Sequence, residues 1–112
     1  MEISSKLAGT ITVITITGSI DSLSYGQVIS AVSEQAASGQ VRILIDLTGV
    51  DFMSSAGLRA ILAGIKETRE KGGDLRLVGA QPGIEKVLKI SGFDSLLKSY
   101  PDLDQALADY SA

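Results

Sequence analysis

Residues 41–62, VRILIDLTGVDFMSSAGLRAIL, contain the change of pattern that decides the fold. The first part, residues 41–47, is a short apolar run that predicts a buried β-strand. We expect residues 48–54 to form a loop and a helix to begin at Ser54 or Ser55, because serine commonly caps helices. A strand that leads into a helix is the repeating unit of sheets whose parallel strands are covered by helices.

The predicted helix has an apolar stripe at helical spacing, and it ends at Lys71-Gly72-Gly73, where a basic last turn precedes two glycines. The stripe consists of Leu58, Ile61, Leu62 and Ile65, while Arg59, Lys66, Arg69 and Glu70 are expected to face water. This amphipathic pattern predicts a helix that packs one side on a sheet.

Two segments upstream predict strands. Residues 2–8 (EISSKLA) indicate a weak edge strand with Ile3 and Leu7 directed inward. Residues 10–17 (TITVITIT) are rich in β-branched side chains, which suit a pleated sheet, and Gly9 lies in the turn between the two strands. The apolar residues of the second strand change parity halfway, which a bulge or a strand buried on both faces would explain.

The remaining segments alternate between helix and strand patterns. They are a helix carrying Tyr25, Ile29, Val32 and Ala36, a strand over residues 75–79, a helix beginning at Pro82, a short strand over residues 95–99, and a helix capped by Asp102. The order β-β-α-β-α-β-α-β-α predicts a single α/β domain over residues 1–112. We expect a mixed, largely parallel sheet of about five strands covered by about four helices, with function at residues 18–24 and 48–55.

Composition excludes several functional classes. The chain has no cysteine and no histidine, so it lacks a thiolate nucleophile, disulfides and the usual general base near neutral pH. No Gly-Lys-Ser/Thr phosphate loop or hydrolase serine motif is present, so we expect no enzyme activity, cofactor or metal site. The net charge is −3 and the basic residues are scattered, which argues against binding to nucleic acid.

Hydropathy argues against a membrane location. No apolar run approaches the roughly 20 residues needed to cross a bilayer. Residues 1–9 have no charged-then-apolar leader, so no signal peptide is predicted. We therefore expect a cytoplasmic protein without membrane contact.

Two adjacent serines occupy the predicted helix start, where a phosphate would be stabilised. The first N–H groups of a helix lack partners, and the helix dipole adds about half a positive charge there. The alternative is simple capping, in which a serine side chain accepts a hydrogen bond from such an N–H group and contributes about 1 kcal/mol. Both interpretations hold together if Ser54 caps the helix and Ser55 is exposed.

Residues 41–62 resemble the signature of the STAS domain of bacterial anti-sigma factor antagonists. The matching features are Asp46-Leu47 at the strand end, Phe52-Met53, and Ser55-Ala56-Gly57-Leu58 at the helix start. The resemblance continues through Thr17-Gly18-Ser19-Ile20-Asp21, Lys71-Gly72-Gly73, Leu75-Arg76-Leu77-Val78 and Val87-Leu88-Lys89-Ile90-Ser91-Gly92. It spans nearly the whole chain and implies a STAS fold.

The resemblance implies a phosphorylation switch. Ser55 matches the serine that a partner kinase phosphorylates, and Ser54, where several members have aspartate, is the alternative. In this family the kinase is also the anti-sigma factor. The unmodified antagonist binds it and frees the sigma factor, the phosphorylated form does not bind, and a serine phosphatase restores the unmodified form. The partner-binding residues implied are Asp21, Ser22, Ser54, Ser55, Ala56, Gly57 and Arg59.

Some of these residues also have purely structural interpretations. Asp21 would then cap the first helix or end a turn, Gly57 would serve packing, and Arg59 would only be solvated. Asp46 would tie down the segment after its strand, and Asp51 would face water. The functional alternative is a non-catalytic STAS scaffold or a subunit of a larger transport or stress-sensing complex.

Overall fold

The computed structural model describes residues 1–111, and their elements follow the predicted order. The strands are β1 (Glu2–Ala8), β2 (Ile11–Ile20), β3 (Arg42–Met53), β4 (Asp74–Val78) and β5 (Ser99–Tyr100). The helices are α1 (Tyr25–Ala37), α2 (Ser55–Glu70), α3 (Pro82–Ile90) and α4 (Leu103–Ser111), and a 3-10 turn (Phe93–Ser95) precedes β5. The predicted α/β class and element order are confirmed.

The strands lie side by side in chain order, β1-β2-β3-β4-β5. β1 is antiparallel to β2, and every other neighbouring pair is parallel. Each parallel connection therefore needs a crossover, which α1, α2 and α3 provide in turn. As a result, the carboxyl ends of β2 and β3 lie next to each other.

Helices cover both faces of the sheet. On one face α1, α2 and α3 enclose the larger core cluster, in which Ile43, Ile45 and Leu47 of β3 are fully buried. On the other face α4 packs through Ala106 and Tyr110, and the strand residues beneath it are Ile11, Leu44 and Val78. β3 is therefore buried on both sides along its first half, which accounts for its almost continuous apolar sequence.

The parity change in β2 has one of the two predicted causes, burial on both faces of the strand. Ile14 and Ile16 face the larger cluster, whereas Ile11 contacts the α4 cluster on the opposite face. The pairing with β3 also shifts register between Thr15 and Thr17 and again after Gly18. Both shifts follow the parity change and place the extra residue in β3, so they do not explain it.

The predicted loop over residues 48–54 is wrong, because β3 continues to Met53. Thr17 pairs with Gly49, and Ile20 pairs with Met53. A Cβ atom on Gly49 would lie 2.8 Å from the Thr17 Cγ2 atom, so glycine at this position permits the close pairing. The polar and glycine residues that suggested a loop belong to the solvent-accessible end of a long strand.

Three further expectations differ from the structure. Leu7 was expected to face inward, but its side chain is 59% exposed. The last strand is Ser99–Tyr100 and not residues 95–99. In α2, Ile61 and Ile65 are buried as predicted. Leu58 and Leu62, by contrast, are only partly buried, since this helix approaches the sheet through the small residues Gly57, Ala60 and Gly64.

Candidate functional site

The end of β2 and the beginning of α2 are joined directly. Ile20 and Met53 are ladder partners, and the next backbone N–H, that of Ser54, donates a 2.9 Å hydrogen bond to the Ile20 carbonyl oxygen. The residues after β2 therefore lie beside the residues that open α2. We call the accessible residues at this end the Ser55 surface: Asp21, Ser22, Leu23, Phe52, Ser54, Ser55 and Arg59.

Ser54 is the N-cap of α2. Its backbone is extended (φ −86°, ψ 176°), and its side chain accepts a hydrogen bond from the Gly57 N–H at 3.4 Å. The Ser54 carbonyl oxygen accepts the first helical hydrogen bond, from the Leu58 N–H at 3.1 Å. The predicted capping role of Ser54 is confirmed, and its side chain is partly withdrawn from solvent by this role.

Ser55 is the first residue of α2 and is exposed. Among residues 1–111, no group hydrogen-bonds its hydroxyl. The N–H groups of the first helical turn surround this position, and they have no partners within the helix. Arg59 is also exposed and lies four residues further on, which places it on the same side of α2 as Ser55.

The loop before α1 is held by its own polar side chains. The Asp21 carboxylate accepts a 2.9 Å hydrogen bond from the Leu23 N–H, and the Asp21 carbonyl oxygen accepts from the Tyr25 N–H at 2.9 Å. The Ser24 hydroxyl donates to the Ser19 carbonyl oxygen at 2.9 Å and accepts from the Asp21 N–H at 3.0 Å. Asp21 thus has the predicted structural role at a turn, and Ser22 at its tip is exposed.

Two apolar side chains on the Ser55 surface were not singled out as contact residues from the sequence. Leu23 is 91% exposed and Phe52 is 53% exposed. Leu23 is the one large apolar residue in the polar run Asp21–Ser24, a signal that could have drawn attention to it. Exposed apolar groups beside a polar rim are typical of protein-protein contacts.

Ala56 and Gly57 were expected on the partner-facing surface, but both are buried. A Cβ atom on Gly57 would lie 2.7 Å from the Met53 Cγ atom and 3.0 Å from the Ile20 carbonyl oxygen. Glycine therefore allows α2 to approach the ends of β2 and β3, which corresponds to the packing alternative. Neither residue offers a side chain to a partner.

Two neighbouring carboxylates are also placed by local hydrogen bonds. Asp46 accepts from the Thr48 N–H at 2.9 Å and from the Thr48 hydroxyl at 2.6 Å, so it ties down the following residues as predicted. Asp51 is exposed, as expected, and accepts from the Ser19 hydroxyl at 3.0 Å. Within residues 1–111, no group of three or more ionisable side chains is arranged to hold a metal ion.

A charged cluster lies at the amino ends of β3 and β4, away from the Ser55 surface. Burial alone would raise the pKa of Asp74, but hydrogen bonds from Arg69 and Arg76 lower it below its ordinary value. The Tyr110 hydroxyl donates to the Asp74 carbonyl oxygen and accepts from the Ile43 N–H at 3.2 Å. Burial, together with the charge of Asp74, raises the pKa of Tyr110 to about 12. This cluster fastens α4 to the sheet.

Residues 1–111 contain no helix with the length and apolar character of a membrane span. The STAS domain profile matches residues 2–106. BtrV of Bordetella bronchiseptica, named as an anti-sigma factor antagonist, is 35% identical over 79 residues, which cover 70% of this chain and 68% of that protein.

Solved structures share the fold. A Thermotoga maritima protein described as an anti-sigma factor antagonist superimposes with a TM-score of 0.93 at 19% identity, over 98% of this chain and 95% of that chain. SpoIIAA of Bacillus in its phosphorylated form superimposes with a TM-score of 0.77 at 20% identity, over 96% of this chain and 98% of that chain. The chain belongs to the STAS domain family, in the group of anti-sigma factor antagonists.

Proposed function

We propose that this protein is the antagonist in a partner-switching pathway. In its unmodified form it binds an anti-sigma factor that is also a serine kinase, and that binding releases the target of the anti-sigma factor. Phosphorylation of Ser55 abolishes the binding, and a serine phosphatase reverses the modification. The observation that carries this proposal is the exposure of Ser55 at the first position of α2, beside a different serine that caps the helix.

The Ser55 hydroxyl is suited to be a substrate and not a nucleophile. No base among residues 1–111 hydrogen-bonds it, so nothing in this part of the chain would activate it for attack on another molecule. A kinase, by contrast, brings its own catalytic base and needs only an accessible hydroxyl. The absence of histidine and cysteine agrees with this non-catalytic role.

Charge explains how the modification would act. A phosphate adds about −1.5 to −2 charges and three acceptor oxygens. The first N–H groups of α2 have no partners within the helix, and Arg59 lies one turn further along the same side, so both favour that charge and the fold is retained. A partner that covers Ser55 would have to desolvate the phosphate, which is costly, so the complex does not form.

Apolar contacts would supply much of the affinity of the unmodified form. Leu23 and Phe52 project from the two segments that flank Ser55, and both are accessible. A partner pocket that takes these side chains would place the Ser55 hydroxyl inside the contact area, where a phosphate is least tolerated. The names of the relatives support this proposal, as does the phosphorylated state in which SpoIIAA was solved.

The test is to isolate the partner kinase and to ask whether it phosphorylates Ser55. The chain serves as bait in an extract of its native cell, and each ATP-binding protein recovered is incubated with the chain and ATP. Mass spectrometry should find phosphate on Ser55 in the wild type, none in Ser55→Ala, and unchanged modification in Ser54→Ala. If no recovered protein modifies Ser55, the chain is instead a STAS scaffold or a subunit of a larger complex.

A further inference from the structure

We propose that β1 is a pairing edge through which two copies of this chain associate. The two β1 strands would run antiparallel, with Ser5 of one copy opposite Ser5 of the second copy. The sheets would then form one continuous sheet across a two-fold axis. This inference uses no residue of the Ser55 surface and does not depend on the function proposed for it.

The outer edge of β1 is unpaired within residues 1–111. β1 is the first strand in the sheet order and is bonded only to β2, from Glu2 opposite Thr17 to Ala8 opposite Ile11. A row of backbone N–H and C=O groups therefore faces outward along seven residues. Edges of this length are usually blunted by proline, bulges, charged side chains or a covering segment. β1 contains no proline and pairs with β2 in unbroken register, and its two charged residues, Glu2 and Lys6, are both on its polar face.

The two faces of β1 differ in chemistry. Ile3, Ser5 and Leu7 share the face on which α1 lies, since Ile3 packs against the larger core cluster and Ser5 accepts a hydrogen bond from Gln35 at 3.3 Å. Leu7 on this face is 59% exposed. The opposite face carries Glu2, Ser4 and Lys6, all of which are exposed.

A pairing centred on Ser5 brings complementary side chains together on both faces of β1. On the helix-covered face, Ile3 of each copy lies opposite Leu7 of the other, so two apolar pairs form and Leu7 is covered. On the polar face, Glu2 of each copy is diagonal to Lys6 of the other, at about 7–8 Å, within reach of these long side chains. The sequence EISSKLA is thus complementary to itself in antiparallel orientation.

Other observations favour this register. A groove of about 360 Å³, open to solvent, lies between β1 and the end of α1, so it has room for side chains of a second copy. Its lining includes Ser5, Leu7 and Gln35, and also the charged Lys6. A pairing centred on Ser4 would place Ile3 opposite Ser5 and leave Leu7 beyond the paired strands. Only the register centred on Ser5 pairs all seven residues of β1.

The first test measures association and its dependence on Leu7. Sedimentation equilibrium should show a concentration-dependent dimer. Leu7→Lys should weaken the dimer at least about tenfold, because it replaces two apolar contacts with charges. The matched control is Ile90→Lys at the end of α3, where the wild-type side chain is 76% exposed; it should leave dimerisation unchanged. A wild type that is monomeric at about 1 mM chain, or an equal effect of the two variants, would overturn the proposal.

The second test locates the two-fold axis. Because the chain has no cysteine, a cysteine introduced at one position can form an intermolecular disulfide only with the same position of a second copy. Ser5→Cys should cross-link readily under mild oxidation, since the Cα atoms of opposed residues are about 4.5–5.5 Å apart, a separation that a disulfide spans. Ser4→Cys, also at an exposed serine, should cross-link slowly, because Ser4 of one copy would be opposite Lys6 of the other and not opposite Ser4. Faster cross-linking of Ser4→Cys, or none at either position, contradicts the pairing centred on Ser5.

Discussion

The Ser54 N–H group donates a 2.9 Å hydrogen bond to the Ile20 carbonyl oxygen, and this bond joins the end of β2 to the start of α2. It continues the ladder beyond the pair formed by Ile20 and Met53. Leu23 lies three residues after Ile20 and Ser55 lies directly after Ser54, so the proposed contact residue and the proposed phosphorylation site are held at the same end of the sheet. A partner that contacts both residues would cover the bond between β2 and α2, which is what the function proposed above requires.

The two adjacent serines should respond differently to truncation. Ser54→Ala removes the side chain that accepts from the Gly57 N–H, so we expect a loss of about 0.5–1 kcal/mol in the free energy of unfolding. Ser55→Ala removes an exposed hydroxyl without a partner among residues 1–111, so its effect should lie within about 0.5 kcal/mol. Urea denaturation of both variants measures these changes, and a larger loss in Ser55→Ala would contradict the assignment of the cap.

Leu23 should contribute to partner binding and not to stability. Leu23→Ala should weaken binding to the recovered kinase by about 1–2 kcal/mol, which is roughly 5- to 30-fold, if the side chain occupies a partner pocket. The matched control is Ile90→Ala, also a highly exposed apolar residue but on α3. Calorimetric titration should give wild-type affinity for the control, and equal affinities for the two variants would exclude Leu23 as an anchor.

Gly57 should be sensitive to a single added methyl group. Gly57→Ala places a Cβ atom 2.7 Å from Met53 Cγ and 3.0 Å from the Ile20 carbonyl oxygen, so we expect destabilisation by about 1–3 kcal/mol despite better helix propensity. Gly26 in α1 has no atom within 4 Å of its added Cβ, so Gly26→Ala should be neutral or stabilising by up to about 1 kcal/mol. Thermal unfolding measures the stability of both variants relative to the wild type. A Gly57→Ala variant as stable as the wild type would contradict the packing role of Gly57.

Tyr110 should stabilise the attachment of α4. Tyr110→Phe leaves the buried Ile43 N–H without its hydroxyl acceptor, which should cost about 1–3 kcal/mol in urea denaturation. Tyr25→Phe is the control, because the Tyr25 hydroxyl makes no hydrogen bond within residues 1–111 and its removal should cost less than about 0.5 kcal/mol.

The same tyrosine predicts how stability changes with alkaline pH. Its pKa in the folded protein is about 12, above the value of about 10 expected when unfolded, so the folded state holds the proton more tightly. The resulting stabilisation is complete below pH 10 and is lost as pH rises toward 12. The difference in unfolding free energy between wild type and Tyr110→Phe should therefore narrow over this window. A constant difference would show that Tyr110 does not titrate there.

Elements with strong local patterns were predictable from the sequence. The apolar stripe of α1, the proline that opens α3, and the β-branched run of β2 each determine an element almost alone. Asp102 accepts a 2.9 Å hydrogen bond from the Gln105 N–H, which confirms its predicted capping of α4. The full extent of β3 was not predictable, since pairing with β2 after two register shifts is a long-range property.

Only those features of the Ser55 surface that depend on local chemistry were predictable from the sequence. The cap at Ser54 and the exposure of Ser55 follow from local helix chemistry. The burial of Gly57 depends on how closely α2 approaches the strand ends, and the exposure of Leu23 depends on a loop fixed by Asp21 and Ser24. Neither depth of packing nor loop orientation is encoded in residue type alone.

Charge at Ser55 is proposed to block docking without altering the fold. The most direct measurement compares the affinity of the recovered kinase for the unmodified chain and for the chain phosphorylated only at Ser55, with thermal unfolding recorded for both forms. We predict at least about a hundredfold weaker binding, equivalent to roughly 2.7 kcal/mol, together with an unfolding midpoint within a few degrees of the unmodified protein. Equal affinity of the two forms, or weak binding accompanied by loss of the folded state, would contradict the account.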